Sequence, residues 1–348
     1  MESKKGKVLI GMSGGVDSTV SALILKQAGY EVIGATMKLW EDSSAVEDAK
    51  KVCDQIGIQH YTINCERDFK EHVIEDFIQC YQCCKTPNPC IECNKYLKFG
   101  TFYKKALELG CDYISTGHYA KVEYSEKYNQ YVMKKSESTK KDQTYFLYRI
   151  PKEVLSKIIL PLENFTDKSD IRKIAEENNL EVAHKKDSQE VCFIPDNNYG
   201  DFLENNMKEK PKHGNIVLKD GTILGEHKGL IYYTIGQRKG LGVAYKEPLY
   251  VIELRKEKNE VVVGEEKDLY TNELYANNLN FLLDIDLSKP IEVMAKVRFR
   301  AKEAKAILEV LENGEAKVTF EEPQRAITPG QSVVFYIEDI VLGGGKIK

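Results

Sequence analysis

Residues 7–28 of the chain read KVLIGMSGGVDSTVSALILKQA, an apolar run, a glycine-rich loop and an amphipathic stretch in direct succession. The run at 8–10 predicts a buried strand, and the stretch at 16–28 predicts a helix that Gly29 ends. Two adjacent glycines let the main chain approach an anion, and free N–H groups at the start of a helix favour a phosphate. No G-x-x-x-x-G-K-[ST] pattern occurs, so this is not a Walker A loop. The stretch therefore predicts an α/β unit that binds phosphate through a different loop.

Short apolar runs and amphipathic stretches keep alternating through the first two hundred residues. Alternation at this spacing indicates a doubly wound, mostly parallel α/β sheet, whose ligands bind at the carboxyl ends of the strands. The chemistry is therefore expected on the loops that follow strands. Further strands are predicted at 31–36, 60–64 and 113–116, and further helices at 45–55, 69–79, 96–109 and 169–178.

After about residue 205 the sequence no longer alternates between strand-like and helix-like stretches. Turn signals at 219–222, 256–260 and 312–315 separate short strand-like runs, so the remaining residues are expected to be mostly β. Turns at this spacing are typical of small barrels or sandwiches. We expect three domains: an α/β catalytic domain over 1–205, a small β-rich central domain over 206–273 and a β-barrel domain over 274–348.

The composition of the 348 residues excludes wholesale disorder, since 42% are hydrophobic, 30% are charged and the mean hydropathy is −0.43. No apolar run approaches the roughly 18 residues that a membrane span needs, and the first residues lack an apolar core with a cleavage site. We therefore expect a cytoplasmic, unprocessed protein with no membrane partner.

The net charge of −4 gives no overall attraction to polyanions, but the charge is unevenly distributed. Segments 121–152, 228–246 and 294–305 each carry a net charge of +4, and the first also contains five tyrosines suited to stacking on bases. Acidic residues are concentrated at 41–76 and 153–204. If the three basic segments converge on one face, they form a local surface for nucleic acid.

Nine cysteines in a chain of this kind indicate reduced thiols, metal ligands or redox chemistry rather than a disulfide framework. Structural zinc is disfavoured because only six residues separate Cys83 from Cys90, with a Pro-Asn-Pro between them. An iron–sulfur cluster on Cys90, Cys93 and a distant third cysteine stays open but is not favoured. Cys53, Cys65 and Cys111 fall on predicted core faces, whereas Cys80, Cys83, Cys84, Cys90 and Cys93 crowd one segment.

The preferred interpretation makes Cys93 a reactive thiol just before a helix that starts near Asn94. The helix N-terminus and Lys95 are then expected to stabilise the thiolate and lower the pKa of Cys93. Its expected partner is Cys192, an isolated cysteine on a polar loop after the last predicted helix. One thiol can carry a persulfide sulfur while the other attacks it and closes a disulfide.

Several motifs of the sequence resemble those of known protein families. Residues 13–18, Ser-Gly-Gly-Val-Asp-Ser, resemble the PP-loop of the N-type ATP pyrophosphatases, and the chain as a whole resembles the tRNA-specific 2-thiouridylases. The further motifs that carry the resemblance are 86–89, 93–95, 97–99, 116–120, 141–147, 188–194, 236–242 and 328–331.

This resemblance implies an adenine nucleotide alpha hydrolase-like PP-loop domain, a small central domain and a C-terminal β-barrel. It implies a tRNA-uridine 2-sulfurtransferase that uses ATP with Mg²⁺ to adenylate the C2 oxygen of the wobble uridine, position 34, and replaces that oxygen with sulfur from a cysteine persulfide. The implied partners are a tRNA with a wobble uridine and a persulfide donor such as a cysteine desulfurase or a sulfur-relay protein.

The resemblance also assigns roles to single residues, and it implies no resident metal site. Cys93 matches the nucleophile and Cys192 the persulfide-bearing cysteine. Many relatives have Asp where Cys90 stands and Gly-Arg where Cys84-Lys85 stands. The residues that match ATP-binding positions are Gly11, Met12, Ser13, Gly14, Gly15, Val16, Asp17, Ser18, Met37 and Gly117. Those that match the target-base stretch are Asn88, Pro89 and Cys90, and those that match tRNA contacts are His118, Lys141, Asp142, Gln143, Arg298, Phe299 and Gln331.

Three alternatives remain at this point. The chain could be another PP-loop tRNA sulfurtransferase, an iron–sulfur-dependent thiolase, or a non-enzymatic RNA-binding protein with a metal knuckle at 80–93. Whether the persulfide itself or released hydrosulfide attacks the base is also left open by the sequence.

Overall fold

A computed structural model of the chain describes residues 5–40, 44–185, 191–194 and 198–348. Its first domain is built on a five-stranded parallel sheet with the order β3-β2-β1-β4-β7. The expected doubly wound parallel sheet is thereby confirmed. Residues 188–190 of the motif around Cys192 lie outside the described residues. The strands are β1 (Lys7–Gly11), β2 (Glu31–Lys38), β3 (Gln59–Asn64), β4 (Tyr113–Ser115) and β7 (Ile158–Ile159), and β5 and β6 follow below.

Helices cover both faces of this sheet, and alternate residues of β1 are buried against each. Val8 and Ile10 pack into one apolar cluster, whereas Leu9 packs into the other. A strand buried on both faces has to be apolar throughout, which is why residues 8–10 form an unbroken apolar run. The helices are α1 (Val16–Gln27), α2 (Ser44–Ile56), α3 (Glu66–Phe69), α4 (Glu75–Gln82), α5 (Pro89–Glu92), α6 (Phe102–Glu108), α7 (Lys168–Glu177) and α8 (Tyr199–Asn206).

Two π-helical stretches join the short helices between β3 and β4. Lys70–Ile74 connects α3 to α4, and Cys93–Thr101 connects α5 to α6. The helix predicted at 96–109 therefore begins earlier, at Pro89, with Asn88 as its N-cap residue. A proline at the first helical position is well placed, because its missing N–H would have no partner there anyway. The expected helix start near Asn94 was wrong.

The tyrosine-rich stretch around 121–135 folds as a β-hairpin that leaves the first domain. Strand β5 (Lys121–Ser125) pairs with β6 (Gln130–Lys134), and β6 pairs with the last strand of the C-terminal barrel through Lys134 and Ile340. One sheet thus crosses from the catalytic domain into the barrel.

The central domain is a four-stranded sheet with the order β10-β11-β8-β9. Neighbouring strands run antiparallel except for β8 and β11, which are parallel. Its small core includes Ile216, Val251, Val261 and Val263, all fully buried. The strands are β8 (Gly214–Leu218), β9 (Ile223–His227), β10 (Tyr250–Arg255) and β11 (Glu260–Gly264).

Six antiparallel strands close the C-terminal barrel in the order β12-β15-β14-β13-β16-β17, with β17 pairing back to β12. The expected limit between residues 273 and 274 falls inside β12, which runs continuously from Tyr270. None of the helices in the described ranges has the length and apolarity needed to cross a membrane. The strands are β12 (Tyr270–Phe281), β13 (Ile291–Lys296), β14 (Ala304–Val310), β15 (Ala316–Arg325), β16 (Ser332–Ile337) and β17 (Ile340–Ile347).

Candidate active site

The glycine-rich loop lies at the carboxyl end of β1, where it leads into α1. Gly14 has φ +68°, and a Cβ there would lie 2.9 Å from the Cβ of Asp48, so only glycine fits without strain. Ser13 and Ser18 hold the loop together through their hydroxyls, 3.2 Å apart. Gly15 is the N-cap of α1 and makes no side-chain cap, which leaves N–H donors of the first turn for an anion.

The other expected ATP-binding residues meet this loop at the same edge of the sheet. Gly117 follows β4, and a Cβ on it would lie 2.9 Å from the backbone nitrogen of Ser18. Met37 stands near the end of the neighbouring strand β2 and is half-buried. These residues thus lie at the carboxyl ends of β1, β2 and β4, the edge where a doubly wound sheet binds its ligand.

Two lysines that the sequence reasoning missed contact the loop. The Lys185 ammonium donates to the Gly14 carbonyl oxygen at 3.1 Å and to Asp48 Oδ2 at 2.7 Å. The Lys168 ammonium lies 3.0 Å from Asp17 Oδ2. Both lysines come from more than 150 residues further along the chain, so no local motif announces them. They supply positive charge where phosphates would lie.

Asp17 is held by the protein on both of its oxygens. The Tyr119 hydroxyl donates to Oδ1 at 2.9 Å, and Lys168 engages Oδ2. Of the two roles open to this carboxylate, orienting a nucleotide-bound Mg²⁺ or orienting the loop, the contacts favour the second.

Cys93 is buried, with 8% of its surface exposed, four residues into the helix that begins at Pro89. Burial raises the pKa of Cys93 to about 12, against the weaker opposite effect of Lys98. The expectation of a lowered pKa was therefore wrong. Cys93 is not at the helix N-terminus, and the Lys95 ammonium lies instead over the Tyr96 ring, 4.7 Å from its centroid.

Cys192 lies close enough to Cys93 that a charge on it raises the pKa of the Cys93 thiol, and Cys90 has the same effect. Cys90 and Cys192 are exposed as residues, but their thiols face the protein, and desolvation raises the pKa of each. The structure therefore brings together the two cysteines that stand 99 residues apart in the sequence, with Cys90 beside them.

An aromatic cluster holds the Cys192 segment in place. The Phe193 ring packs edge-on against Phe69 at 5.6 Å and Phe77 at 5.3 Å between centroids. Ile194 is buried in the same cluster. Phe69 and Phe77 belong to α3 and α4, which neighbour the helix that carries Cys93. This packing therefore places the Cys192 segment near Cys93.

Lys98 and His118 complete the thiol site. Lys98 is the cation whose charge lowers the pKa of Cys90, Cys93 and Cys192 alike. His118 is buried with Nδ1 2.6 Å from Thr116 Oγ1, and burial, reinforced by Lys98, lowers its pKa well below the usual value. His118 is thus neutral at neutral pH. It directly follows Gly117, so one dipeptide lies against the glycine-rich loop at one residue and near Lys98 at the next.

The residues expected to contact tRNA are largely engaged inside the protein. Gln331 Nε2 donates to the carbonyl oxygens of Thr86 and Pro87 at 2.9 and 3.1 Å. Asp142 is buried and accepts from the Ser136 N–H, and Gln143 Oε1 accepts from the Tyr119 N–H. Lys141 is half-buried on the same stretch as Asp142.

Arg298 and Phe299 join the basic segments. The Arg298 guanidinium donates to the Ile235 carbonyl oxygen at 3.3 Å, which connects segment 294–305 to segment 228–246. The Phe299 ring lies 4.4 Å from that of Phe146, which connects it to segment 121–152. All three +4 segments therefore meet around these two residues.

Three family models match the chain in order: a tRNA methyl transferase HUP domain over residues 6–196, a tRNA methyl transferase PRC-barrel domain over 200–265 and an aminomethyltransferase β-barrel domain over 271–347. The tRNA-specific 2-thiouridylase MnmA 1 of Clostridium botulinum, strain Loch Maree, is 49% identical over 99% of both chains. The MnmA of Acetivibrio thermocellus is also 49% identical, again over 99% of both chains. The chain belongs to the tRNA-specific 2-thiouridylase family.

A solved 4-thiouridine synthetase–RNA complex with bound ATP matches 57% of this 2-thiouridylase family member and 50% of its own chain, at 19% identity and a TM-score of 0.40. That likeness is too distant to support an argument about function.

One departure from the 2-thiouridylase pattern has a structural cost. Cys84 has φ +56°, in the left-handed region that favours glycine, the residue many relatives have there.

The other cysteines of this segment contact single side chains. Cys80 donates its S–H to Asp76 Oδ2 at 3.8 Å, and Cys83 lies 4.0 Å from the Lys256 ammonium. No group of three His, Cys, Asp or Glu side chains in the described part of the chain is arranged to hold a metal ion. Cys53, Cys65 and Cys111 are buried, as expected.

Proposed function

We propose that the protein catalyses the ATP-dependent 2-thiolation of the wobble uridine, position 34, of tRNA. The observation that carries the proposal is the link between two half-sites. Gly117 packs on the glycine-rich loop, and the adjacent His118 lies close enough to Lys98 for the charge of that lysine to lower its pKa; the same lysine lowers the pKa of Cys90, Cys93 and Cys192. An activating nucleotide on the loop and a sulfur atom on Cys192 would thus act on one base held between them.

In the first step, the C2 oxygen of uracil attacks the α-phosphorus of ATP, forming an adenylated base and releasing pyrophosphate. This oxygen is a poor leaving group, and AMP is a much better one. The open N–H groups of α1 and the ammonium groups of Lys185 and Lys168 would stabilise the charge of the phosphates. Mg²⁺ would arrive with the ATP phosphates, since both oxygens of Asp17 are already engaged.

In the second step, the terminal sulfur of a persulfide on Cys192 attacks C2, and AMP leaves. The Cys93 sulfur then attacks the Cys192 sulfur and breaks the S–S bond, which leaves thiouridine and a Cys93–Cys192 disulfide for an external thiol to reduce. If Cys93 acts first, it releases hydrosulfide, and hydrosulfide attacks C2. A persulfide donor, such as a cysteine desulfurase or a sulfur-relay protein, would reload Cys192.

The tRNA would bind across the three basic segments. Lysines 121, 127, 134 and 135 of the hairpin segment are paired with carboxylates. Arg300, Lys302 and Lys305 are exposed and have no ion-pair partner among the described residues, so they are the stronger phosphate contacts. A wobble base already lies in a loop, so turning it toward the stretch from Asn88 to Cys90 would cost little.

The division of labour among 1–205, 206–273 and 274–348 is part of the same proposal: catalysis in the first domain and tRNA binding shared with the other two. His118, Lys141, Asp142, Gln143 and Gln331 would then shape the tRNA surface through their internal contacts.

Mass spectrometry of tRNA incubated with the protein, ATP, Mg²⁺ and a persulfide donor tests the function. We expect one sulfur on the anticodon uridine, and no gain of sulfur would refute the proposal. Cys93→Ala and Cys192→Ala should each abolish thiolation with tRNA affinity nearly intact. The control is Cys83→Ala, which removes an exposed thiol outside the site and should stay active. Bound zinc or iron with full RNA binding and no ATP turnover would instead favour the metal-knuckle or iron–sulfur alternatives.

A further inference from the structure

A buried ionic cluster connects the last strand of the barrel to the residue next to Cys93. The Lys346 ammonium on β17 lies 2.9 Å from Glu92 Oε1 and 3.1 Å from Asp76 Oδ1. Arg149 pairs with the same Glu92 oxygen. The Glu92 and Arg149 side chains are only 5% and 8% exposed. Two cations and two carboxylates thus form a balanced group at the interface between the domains.

Each ion of this cluster depends on the others. Burial acts to lower the pKa of Lys346, but Glu92 and Asp76 outweigh it and raise the pKa above its ordinary value. The lysine is therefore charged at neutral pH. Removing the charge of Lys346 would leave Arg149 as the one remaining cation of the cluster at Glu92. This is unfavourable for a carboxylate that is almost fully buried.

The barrel domain also forms hydrogen bonds with residues 86–87, a few residues before Glu92 in the chain. The Thr86 N–H donates to the Pro329 carbonyl oxygen at 2.8 Å, and Gln331 donates to Thr86 and Pro87. Gly330 has φ +89°, and a Cβ there would lie within 3.0 Å of Lys85 and Thr86 atoms. Residues 86–92, which include the stretch expected to face the target base, are therefore held at both ends by the barrel.

We propose that Lys346 is a positioning residue for Cys93. It fixes Glu92, and through Glu92 the start of the helix that presents the nucleophile, so the barrel sets the geometry of the thiol site. The inference rests on the proposed function in taking Cys93 as the nucleophile. Placement matters because reacting groups displaced by about 1 Å can lose on the order of 100-fold in rate.

The main test compares Lys346→Met with Lys348→Met. Lys348 is a nearby lysine whose ammonium pairs with Glu315 and with no other carboxylate among the described residues, so it controls for loss of a positive charge in this part of the chain. We expect kcat for thiolation to fall on the order of 100-fold in Lys346→Met. KM for tRNA and for ATP should stay within about twofold, because the positioning acts on the nucleophile. Lys346→Arg should recover most of kcat, and Lys348→Met should match the wild type.

Glu92→Gln keeps the shape of the side chain and removes its charge, so it tests the same link with less risk to folding. It should give the same loss of kcat. The rate at which iodoacetamide labels Cys93, followed by mass spectrometry, should change in both Lys346→Met and Glu92→Gln and not in Lys348→Met. Labelling needs no thiolation activity, so it tests the inference even if the proposed function fails.

Unchanged kcat and unchanged Cys93 labelling in Glu92→Gln would overturn the inference. So would a rise in KM for tRNA that accounts for the whole effect of Lys346→Met, because the lysine would then serve substrate binding.

Discussion

Cys93 is a neutral thiol in the structure, since burial raises its pKa to about 12. Below that pKa the thiolate fraction grows about tenfold with each pH unit, so reactivity should rise steeply from neutral to alkaline pH. A neutral thiol is a weak nucleophile. Docking of tRNA and loading of Cys192 with sulfur would have to change the surroundings of the thiol before it attacks.

The pH dependence gives a prediction for Lys98. Lys98 lowers the pKa of Cys93, so Lys98→Met should raise that pKa further and reduce the thiolate fraction at any pH below it. We expect alkylation of Cys93 at pH 8 to slow by about threefold or more, measured by mass spectrometry across pH 7 to 9. Lys95→Met is the matched control, because the Lys95 ammonium lies over Tyr96.

Equal slowing in both variants would mean that neither lysine acts on the thiol specifically. Faster labelling in Lys98→Met would show that the side chain shields Cys93 sterically rather than electrostatically.

Contacts between residues that lie far apart in the sequence could not be predicted from the sequence around each residue. The motifs predicted Cys93, Cys192 and the glycine-rich loop as candidates, because each has a local pattern. Lys185 reaches Gly14 across 171 residues, and Lys346 reaches Asp76 across 270. A single lysine in a charged sequence carries no local signal, so such contacts follow only from the fold.

At the scale of elements, the glycine-rich loop and the β4 turn press against each other. Gly117→Ala would place a Cβ 2.9 Å from the Ser18 nitrogen and 3.0 Å from the Asp17 carbonyl carbon, so backbone would have to move. We expect KM for ATP to rise about tenfold or more, as for a displaced binding group. Gly110→Ala is the control, because a Cβ there would meet nothing within 4 Å and Gly110 precedes β4, away from the glycine-rich loop.

Steady-state kinetics with ATP as the varied substrate would check this. A normal KM in Gly117→Ala would contradict the close approach, and a similar defect in Gly110→Ala would mean that the effect is a general loss of stability.

The two-residue strand β7 was missed, but the other four strands of the first sheet were predictable from residues 8–10 and the alternation that follows them. The start of the helix that carries Cys93 was not. Periodicity begins near residue 96, and the preceding Pro89 and Asn88 looked like part of a linker with Pro87. The π-helical stretch from Cys93 also disturbs the usual 3.6-residue period of the helix. Short π-helical segments within α-helices are often found at functional sites.

At the scale of the whole molecule, the net charge of −4 coexists with three segments of charge +4 that contact one another through Arg298 and Phe299. The structure also separates lysines that are neutralised from those that are not. The neutralised lysines lie on or next to the β5–β6 hairpin, whereas Lys302 lies between β13 and β14 and Lys305 lies on β14. Sequence sums could locate the charge but could not show which ammonium groups remain available.

Replacing Arg300, Lys302 and Lys305 together by glutamate should weaken tRNA binding by at least tenfold and make its salt dependence shallower by about 2 in logarithmic slope. The control replaces Lys121, Lys127 and Lys134, which are already paired with carboxylates, and should weaken binding far less. Filter binding over a range of salt concentrations measures both. Equal losses in the two triple variants would place the tRNA across the hairpin as well.

The final strand, β17, has a consequence for how the protein is made. It pairs with β12, β16 and β6, so the barrel cannot close, and the hairpin edge cannot be covered, until residues 340–347 have left the ribosome. Domains generally fold as they emerge, and an uncovered strand edge invites pairing with other chains. Deleting residues 340–347 would therefore leave the barrel open and the edge of β6 uncovered, and both edges would be available for pairing with other chains.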